Sequence, residues 1–196
     1  MTILSSKLAT GILALGFTLL SYASDGPGIL KKSFTADELY KPMGYIDSSK
    51  KNVRGHAAMQ LFKGYLAAVE GRDGGAGDAA IAFFDISDPK NPKRVSTHAD
   101  EHTKVLFEGH NYGFIEKDGR DYVFLNAQTG IQIWDWTDIM KPTHVSSLKI
   151  PQLTKGAYAD TTWWLAMQYP YVYLGGTNTG LHILDASDLK SPELKR

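Results

Sequence analysis

The chain of 196 residues contains no cysteine. This absence excludes disulfide bonds, cysteine-bound zinc, iron–sulfur clusters and a thiol nucleophile. An excess of charge of one sign is also missing, because 21 basic side chains balance 21 acidic ones. A broad nucleic-acid surface needs a clustered excess of Lys and Arg, so we expect no nucleic-acid partner. Hydrophobic residues make up 43% of the chain and aromatic residues 11%, which predicts a folded protein.

The sequence also lacks a hydrophobic run long enough for a comfortable membrane span. The apolar stretch Leu8–Leu20 is short, follows Lys7 and ends at Ser21-Tyr-Ala23. One positive charge, a short apolar run and two small residues are typical of a secretory signal peptide. We predict a signal peptide over residues 1–23, with an uncleaved N-terminal anchor as the alternative. The mature chain is then expected in the periplasm, at the cell surface or secreted, with no transmembrane span.

A period of 50 residues organises the chain from residue 42 to 196. Before it, residues 24–41 form a lead-in in which Thr35-Ala-Asp-Glu38 predicts one helical turn. Self-similarity at a fixed period is the signature of repeat architectures. The period carries one column of prolines and two columns of aspartates: Pro42, Pro92, Pro142 and Pro192; Asp85, Asp135 and Asp185; Asp88, Asp138 and Asp188.

Each copy predicts four short strands. An apolar segment before the first Asp of a copy favours a strand, and the Asp-x-Ser/Thr-Asp tract favours the turn that ends it. The six aspartates are therefore interpreted as turn-forming residues. Four hairpin-connected strands per period predict an all-β fold of β-propeller blades, with about three blades present. Closed propellers use four to eight blades, so we expect missing blades or self-association.

The repeated segments resemble the LVIVD-repeat family, whose repeat centres on an apolar strand ending in Asp, followed by Ser-Asp-Pro and a further Pro. The first copy fits best, with Phe84-Asp-Ile-Ser-Asp-Pro89. The second and third copies carry Ile139 and Leu189 in place of Pro89. The resemblance covers residues 42–196 and implies an exported β-propeller, but it implies no single activity.

Histidines and carboxylates cluster in the predicted connections between blades. Such side chains are the usual ligands of zinc, copper, iron or manganese in a site without cysteine. A divalent-metal site is predicted from His98, Asp100, His102 and His110. The alternative is that these histidines hydrogen-bond the backbone between blades, and no local spacing here matches a known metal motif.

A ring of ligand-binding residues is predicted at the mouth of a central channel. His56 begins the first strand of the first blade, and His110 matches it in the second. Asn111 and Trp163 complete the predicted ligand-binding set. Alternation in a strand places Trp163 and Trp164 on opposite faces, so one of them is expected to be exposed. In Trp134-Asp-Trp136, at least one Trp is expected in the core between blades.

A calcium site is an additional prediction for the segment Glu70–Asp78. Asp73 and Asp78 supply carboxylate oxygens there. The segment lacks the spacing of an EF-hand loop, and a flexible hairpin is the alternative.

The sequence predicts a binding or scaffold module rather than an enzyme, because no complete catalytic motif is present and the catalytic residues are unknown. A catalytic site breaks repeat symmetry, whereas the aspartate columns obey it. We expect the module to bind a protein or glycan at the cell envelope. Two alternatives stay open: a metal-dependent propeller enzyme with a His/carboxylate site that includes His56, and a calcium-stabilised adhesion protein.

Overall fold

Three antiparallel sheets of four strands build the protein, as a computed structural model shows for residues 56–70, 79–106, 110–154 and 160–195. Each sheet is made of four consecutive strands in sequence order. This confirms the predicted all-β fold with propeller-like blades. The predicted signal peptide, the lead-in and the Pro42 segment lie outside the described residues, as do Asp73, Asp78 and the side chain of His56.

The twelve strands alternate in direction along the chain. One turn of 3₁₀ helix, Thr103–Val105, separates the first two sheets. No helix in the part of the chain described is long and apolar enough to cross a membrane. The first blade comprises β1 (His56–Phe62), β2 (Tyr65–Glu70), β3 (Ala80–Asp85) and β4 (Lys93–His98); the second comprises β5 (Gly113–Lys117), β6 (Arg120–Ala127), β7 (Gly130–Asp135) and β8 (Thr143–Lys149); the third comprises β9 (Thr162–Gln168), β10 (Tyr171–Gly176), β11 (Leu181–Asp185) and β12 (Glu193–Leu194).

The same strand register recurs in every blade. The second strand pairs with the third so that Ala67 lies opposite Phe83, Phe124 opposite Ile133, and Tyr173 opposite Ile183. The third strands end at the first aspartate column, 50 residues apart. The sequence period is therefore a period of the backbone.

The aspartate columns close the turns after the third strands. Asp85 Oδ1 accepts a hydrogen bond from the N–H of Ser87 at 2.8 Å, and Asp185 does the same with Ser187 at 3.0 Å. Asp138 Oδ1 accepts from the N–H of Met140 at 2.9 Å. Such bonds satisfy backbone donors that the strand leaves free. The aspartates at both repeated positions thus have a structural role, which is the same in each blade.

Adjacent blades share apolar cores through opposite faces. We call the face that packs on the following blade the forward face, and the opposite one the rear face. Alternation along the strands separates the two sets of side chains. In the first core, forward-face Ala67, Ile81 and Phe83 meet rear-face Val123, Leu125 and Trp134, with Trp136 buried beside them. In the second, forward-face Phe124, Ile131 and Ile133 meet rear-face Leu165, Leu174 and Leu184. Both Trp134 and Trp136 are buried, as expected for the core between blades.

Contacts between blades explain why Ile139 and Leu189 replace Pro89 in the second and third copies of the repeat. Ile139 packs into the core shared with the first blade, and Leu189 into the core shared with the second. The carbonyl oxygens of the same two residues accept hydrogen bonds from Ser96 and Ser146 of the preceding blades, at 2.8 and 2.6 Å. Ile139 and Leu189 therefore stand at a repeat position that joins one blade to the preceding one.

Candidate functional site

A histidine and carboxylate cluster lies where β4 leaves the first blade and meets β7 and β8 of the second. Asp100 organises its first half. Oδ1 of Asp100 accepts hydrogen bonds from the N–H groups of His102 and Thr103 at 2.9 and 2.8 Å. Oδ2 lies 2.9 Å from Nε2 of His98. Because a carboxylate only accepts hydrogen bonds, this contact places the proton of His98 on Nε2.

Two stacked imidazoles form the second half of the cluster. The rings of His102 and His144 are parallel within 3°, with centroids 3.9 Å apart. The buried indole of Trp134 meets the rings of His98, His102 and His144 edge to face, at 5.6, 6.4 and 5.4 Å. The cluster is thus built from two blades around one tryptophan.

Gln132 on β7 ties the cluster to the second blade. Its Nε2 donates to the carbonyl oxygen of His102 at 3.0 Å, and its Oε1 accepts from Nε1 of Trp134 at 2.8 Å. Both bonds satisfy polar groups that would destabilise the folded protein if they were buried without a hydrogen-bond partner. On the other side, Nε2 of His144 lies 2.8 Å from Oγ of Ser147. The backbone of His102 and the ring of His144 are therefore each held by a side chain of the second blade.

The environment shifts two pKa values in this cluster downward. Burial lowers the pKa of His144, and a positive charge on His102 lowers it further, against an opposing effect of Asp100. For Asp100, burial raises the pKa, but the hydrogen bonds from Thr103 and His98 outweigh it, so that the pKa falls below its usual range. The Asp100 carboxylate is charged at neutral pH, and protonation of His144 in the same cluster is disfavoured.

His110 lies with a different set of partners from the other three residues of the predicted metal site. Its N–H donates to the carbonyl oxygen of Trp163 at 2.7 Å, and its ring packs against Trp163 and Trp164. In the described ranges, no group of three or more His, Asp or Glu side chains is arranged to hold a metal ion. The structure brings His98, Asp100 and His102 together and joins them to His144 instead.

Asn111 acts as a clamp between the second and third blades. Its Oδ1 accepts from the N–H of Leu165 at 2.8 Å, and its Nδ2 donates to the carbonyl oxygen of the same residue. Both polar atoms of the amide are therefore engaged by backbone. Asn111, predicted to bind a ligand, thus joins the second blade to the third in the structure.

The exposed ring of the Trp163-Trp164 pair is Trp164. Trp163 is 2% exposed, whereas Trp164 is 54% exposed, because consecutive side chains of β9 point to opposite faces. The predicted ligand-binding Trp163 thus lies inside the molecule. The aromatic side chain that is available to a ligand on this strand is that of Trp164.

His144 is the functional candidate that sequence reasoning missed. It lies opposite Trp134 on β8, far along the chain from His98. One signal was present: histidine breaks the repeat there, since Arg94 lies in the first blade where His144 lies in the second. His98 also breaks the repeat, because it pairs with Ile81 where Leu148 pairs with Ile131 in the second blade.

No family model matches the chain, and none of the curated proteins matches it.

Proposed function

We propose that the protein is an exported β-propeller repeat protein of the LVIVD type that serves as a binding or scaffold module for a protein or glycan at the cell envelope. The observation that carries the proposal is the departure of the histidine cluster from the repeat. Features that recur every 50 residues, such as the aspartate turns, serve the fold. His98, Asp100 and His144 stand where the following blade has Leu148, Ile150 and Leu194, so the repeat itself does not require a polar cluster here.

The chemistry of the cluster fits recognition. His102 and Asp100 are partly exposed, so a carboxylate and an imidazole edge are available to a ligand. Neutral imidazole both donates and accepts hydrogen bonds, and the carboxylate accepts them. A few fixed polar groups beside a rigid aromatic side chain provide orientation and specificity for a bound partner. Hydroxyl groups of a glycan or backbone groups of a protein loop match this set.

Binding tests the proposal at the cluster itself. Purified protein is screened against glycan and envelope-protein arrays, and each hit is measured with His102→Ala, His144→Ala and, as a control, His110→Ala. We expect the first two variants to weaken binding at least tenfold and the third to leave it unchanged. If only His110→Ala weakened binding, the binding site would lie near His110 and β9 and not at the cluster. Robust turnover of a defined substrate by the wild type would overturn the non-catalytic proposal.

Export is tested separately from binding. The full chain is expressed with its N-terminus intact, and the exported fraction is analysed by N-terminal sequencing and intact mass. We expect the mature protein to begin at Ser24, because Ser21 and Ala23 supply the small residues of the cleavage site. Retention of Met1 in a membrane fraction would support the uncleaved anchor, and an uncleaved cytosolic product would contradict export.

A further inference from the structure

The rear face of the first blade is apolar and buried at its centre. Ala68 pairs with Ala82, and with Phe84 they form an apolar cluster in which no residue is more than 1% exposed. The apolar residues that pack around this cluster, Leu66 and Ile86, belong to the same blade. In the second and third blades, the rear face is buried by the forward face of the preceding blade. The cluster therefore has the burial of a core between blades, although its apolar neighbours in the described ranges come from one blade.

The burial is confined to one side of this face. Met59 and Leu61 on β1 point to the same face as the cluster, but they are 55% and 66% exposed. On the other side, Cζ of Arg94 on β4 lies 4.6 Å from the ring centroid of Phe84. The guanidinium of Arg94 also donates to both carboxylate oxygens of Glu70 on β2, at 3.0 and 2.6 Å. What buries the cluster therefore lies over β2, β3 and β4 and does not extend over β1.

The fourth strand of a blade contributes to the cover of the next rear face within the chain. Val95 on β4 packs against the core shared with the second blade, and Val145 on β8 packs against the core shared with the third. The serine that follows each valine donates its hydroxyl to a carbonyl of the next blade, at the position that Pro89 holds in the first blade. The fourth strand thus contacts the following blade at two fixed repeat positions.

The residues one period earlier suit the same two contacts. Tyr45 precedes Val95 by 50 residues, and Ile46 precedes Ser96 by 50. Both lie in the segment Pro42–Asp47, which begins in the proline column. An apolar side chain is therefore present at each position with which a fourth strand contacts the following blade.

Side-chain sizes on the two surfaces change together. Ala68 and Ala82 form the pair that Leu125 and Gln132 form in the second blade, so the rear face of the first blade carries smaller side chains at its centre. The residue one period before Val95 is Tyr45, which is larger than valine. Because protein interiors are close-packed, small side chains on one surface accommodate a large one on the other.

We propose that the segment Pro42–Asp47, which lies outside the described residues, packs on the rear face of the first blade of the same chain. Tyr45 covers the buried cluster, and Ile46 lies beside Pro89. The occupant is this segment and not a second copy of a described strand, because Val95 and Val145 offer only a valine where the small centre of this face accommodates a tyrosine. The first blade is then held by a contact of the same type as those that join the other blades.

Pairs of engineered cysteines test the contact, since the chain contains no cysteine of its own. Ile46→Cys with Pro89→Cys forms the test pair in the mature full chain. Ser96→Cys with Ile139→Cys is the positive control, because it uses the same two repeat positions and Oγ of Ser96 lies 2.8 Å from the carbonyl oxygen of Ile139. Ile46→Cys with Met140→Cys is the negative control, because Met140 is 63% exposed and belongs to the second blade.

Thiol titration and intact mass after mild oxidation with diamide give the result. We expect an intramolecular disulfide in the test pair and in the positive control, with free thiols in the negative control. A test pair that stays reduced while the positive control oxidises would overturn the proposal. So would equal oxidation of the negative control, or a test pair that forms disulfide-linked dimers, because a dimer would mean that the segment covers a second copy.

Substitution of Tyr45 tests the proposal without any cysteine. We expect Tyr45→Ala to lower the midpoint of urea denaturation, because the apolar cluster loses its cover. Tyr40→Ala removes a tyrosine from the lead-in before the proline column and is expected to leave the midpoint unchanged. A midpoint of Tyr45→Ala equal to that of the wild type, or equal losses in the two variants, would contradict the proposed contact.

Discussion

Asp135 shows how one side chain of the repeat can join a turn to an ion pair. Its Oδ1 accepts bonds from the N–H and hydroxyl of Thr137 at 2.9 and 2.6 Å, and its Oδ2 pairs with Arg120 at 2.5 Å. Asp135 is 5% exposed, and its replacement by Ala removes the acceptor of both bonds from Thr137 and the partner of Arg120. We expect Asp135→Ala to lower the free energy of unfolding by about 1–3 kcal/mol, measured by urea denaturation at pH 7.

The same substitution at Asp85 is the matched control, because Asp85 occupies the same column and bonds Ser87 in the same way. The side chain of Asp85 is more exposed than that of Asp135, so water can replace its bonds more easily and we expect a smaller loss. Hydrogen bonds from Thr137 and the charge of Arg120 outweigh burial and lower the pKa of Asp135. Its contribution is therefore present above pH 3.8 and lost as the pH falls below that value. Equal losses for the two variants would contradict this account.

The imidazole stack predicts a pH dependence at the residue scale. Because burial and the charge of His102 lower the pKa of His144 below 6.5, the unfolded chain binds more protons than the folded chain just below pH 6.5. The contribution of His144 to stability is therefore complete above pH 6.5 and is lost as the pH falls from there towards the folded-state pKa.

Substitution of the stacking partner separates the two causes. In His102→Asn the charge that lowers the pKa of His144 is gone, while the burial by Trp134 remains. We expect the NMR titration of His144 to move to higher pH, with His182 as an internal reference whose pKa is lowered by burial alone. A shift of both histidines would point to a general rearrangement, and an unchanged titration of His144 would show that the stack does not transmit charge.

At the scale of the strand, Gly130 marks a place where two backbones approach closely. It begins β7 and pairs with Lys149 of β8. A Cβ atom at this position would collide with the backbone carbonyl of Leu148, which the sheet holds in place. We expect Gly130→Ala to lower the free energy of unfolding by about 1–3 kcal/mol through overpacking, measured by thermal and urea denaturation.

Gly119 is the control for this prediction, since it is a glycine in the same blade with open space around it. Its φ of +71° in the hairpin between β5 and β6 tolerates Asn better than other side chains. We expect Gly119→Asn to leave the melting temperature nearly unchanged. A comparable loss in both variants would mean that the backbone conformation, and not the contact with Leu148, sets the requirement for glycine.

The strands were predictable because their causes are local. Apolar alternation and turn-forming aspartates repeat every 50 residues, and β1 begins at His56 as the sequence predicts. In the second blade, His110 matches His56 in the sequence, but β5 begins only at Gly113. The intervening Asn111 bonds the backbone of Leu165 in the next blade through its amide. Contacts of this kind depend on how sheets stack, which periodicity does not contain.

At the scale of the whole molecule, the candidate site shows the limit of local reasoning. The segment from His98 to His102 was identifiable from its composition, and Asp100 organises it through bonds within five residues. The contribution of His144 arises only when the second blade packs on the first and brings β8 beside this segment. Likewise, strand alternation predicts that only one of Trp163 and Trp164 is exposed, but blade stacking decides which.

Shared cores between blades predict cooperative unfolding of the whole molecule. Leu125 and Leu174 hold the same repeat position, because they pair with Gln132 and His182, which are 50 residues apart. Each leucine is buried in a different core. Because each core needs both of its blades, loss of one blade exposes the apolar face of its neighbour. We expect Leu125→Ala and Leu174→Ala each to cost about 2–5 kcal/mol and to lower one common urea midpoint.

Two spectroscopic probes distinguish cooperative unfolding of the whole molecule from independent unfolding of the blades. Tryptophan fluorescence reports on Trp134 and Trp136 in the first core and on Trp163 beside the second, while far-UV circular dichroism reports on all three sheets. Coincident transitions by both probes, in the wild type and both variants, are expected of a two-state molecule. A Leu174→Ala variant that splits the curve, with the first core unfolding at the wild-type midpoint, would show that the blades fold as separate units.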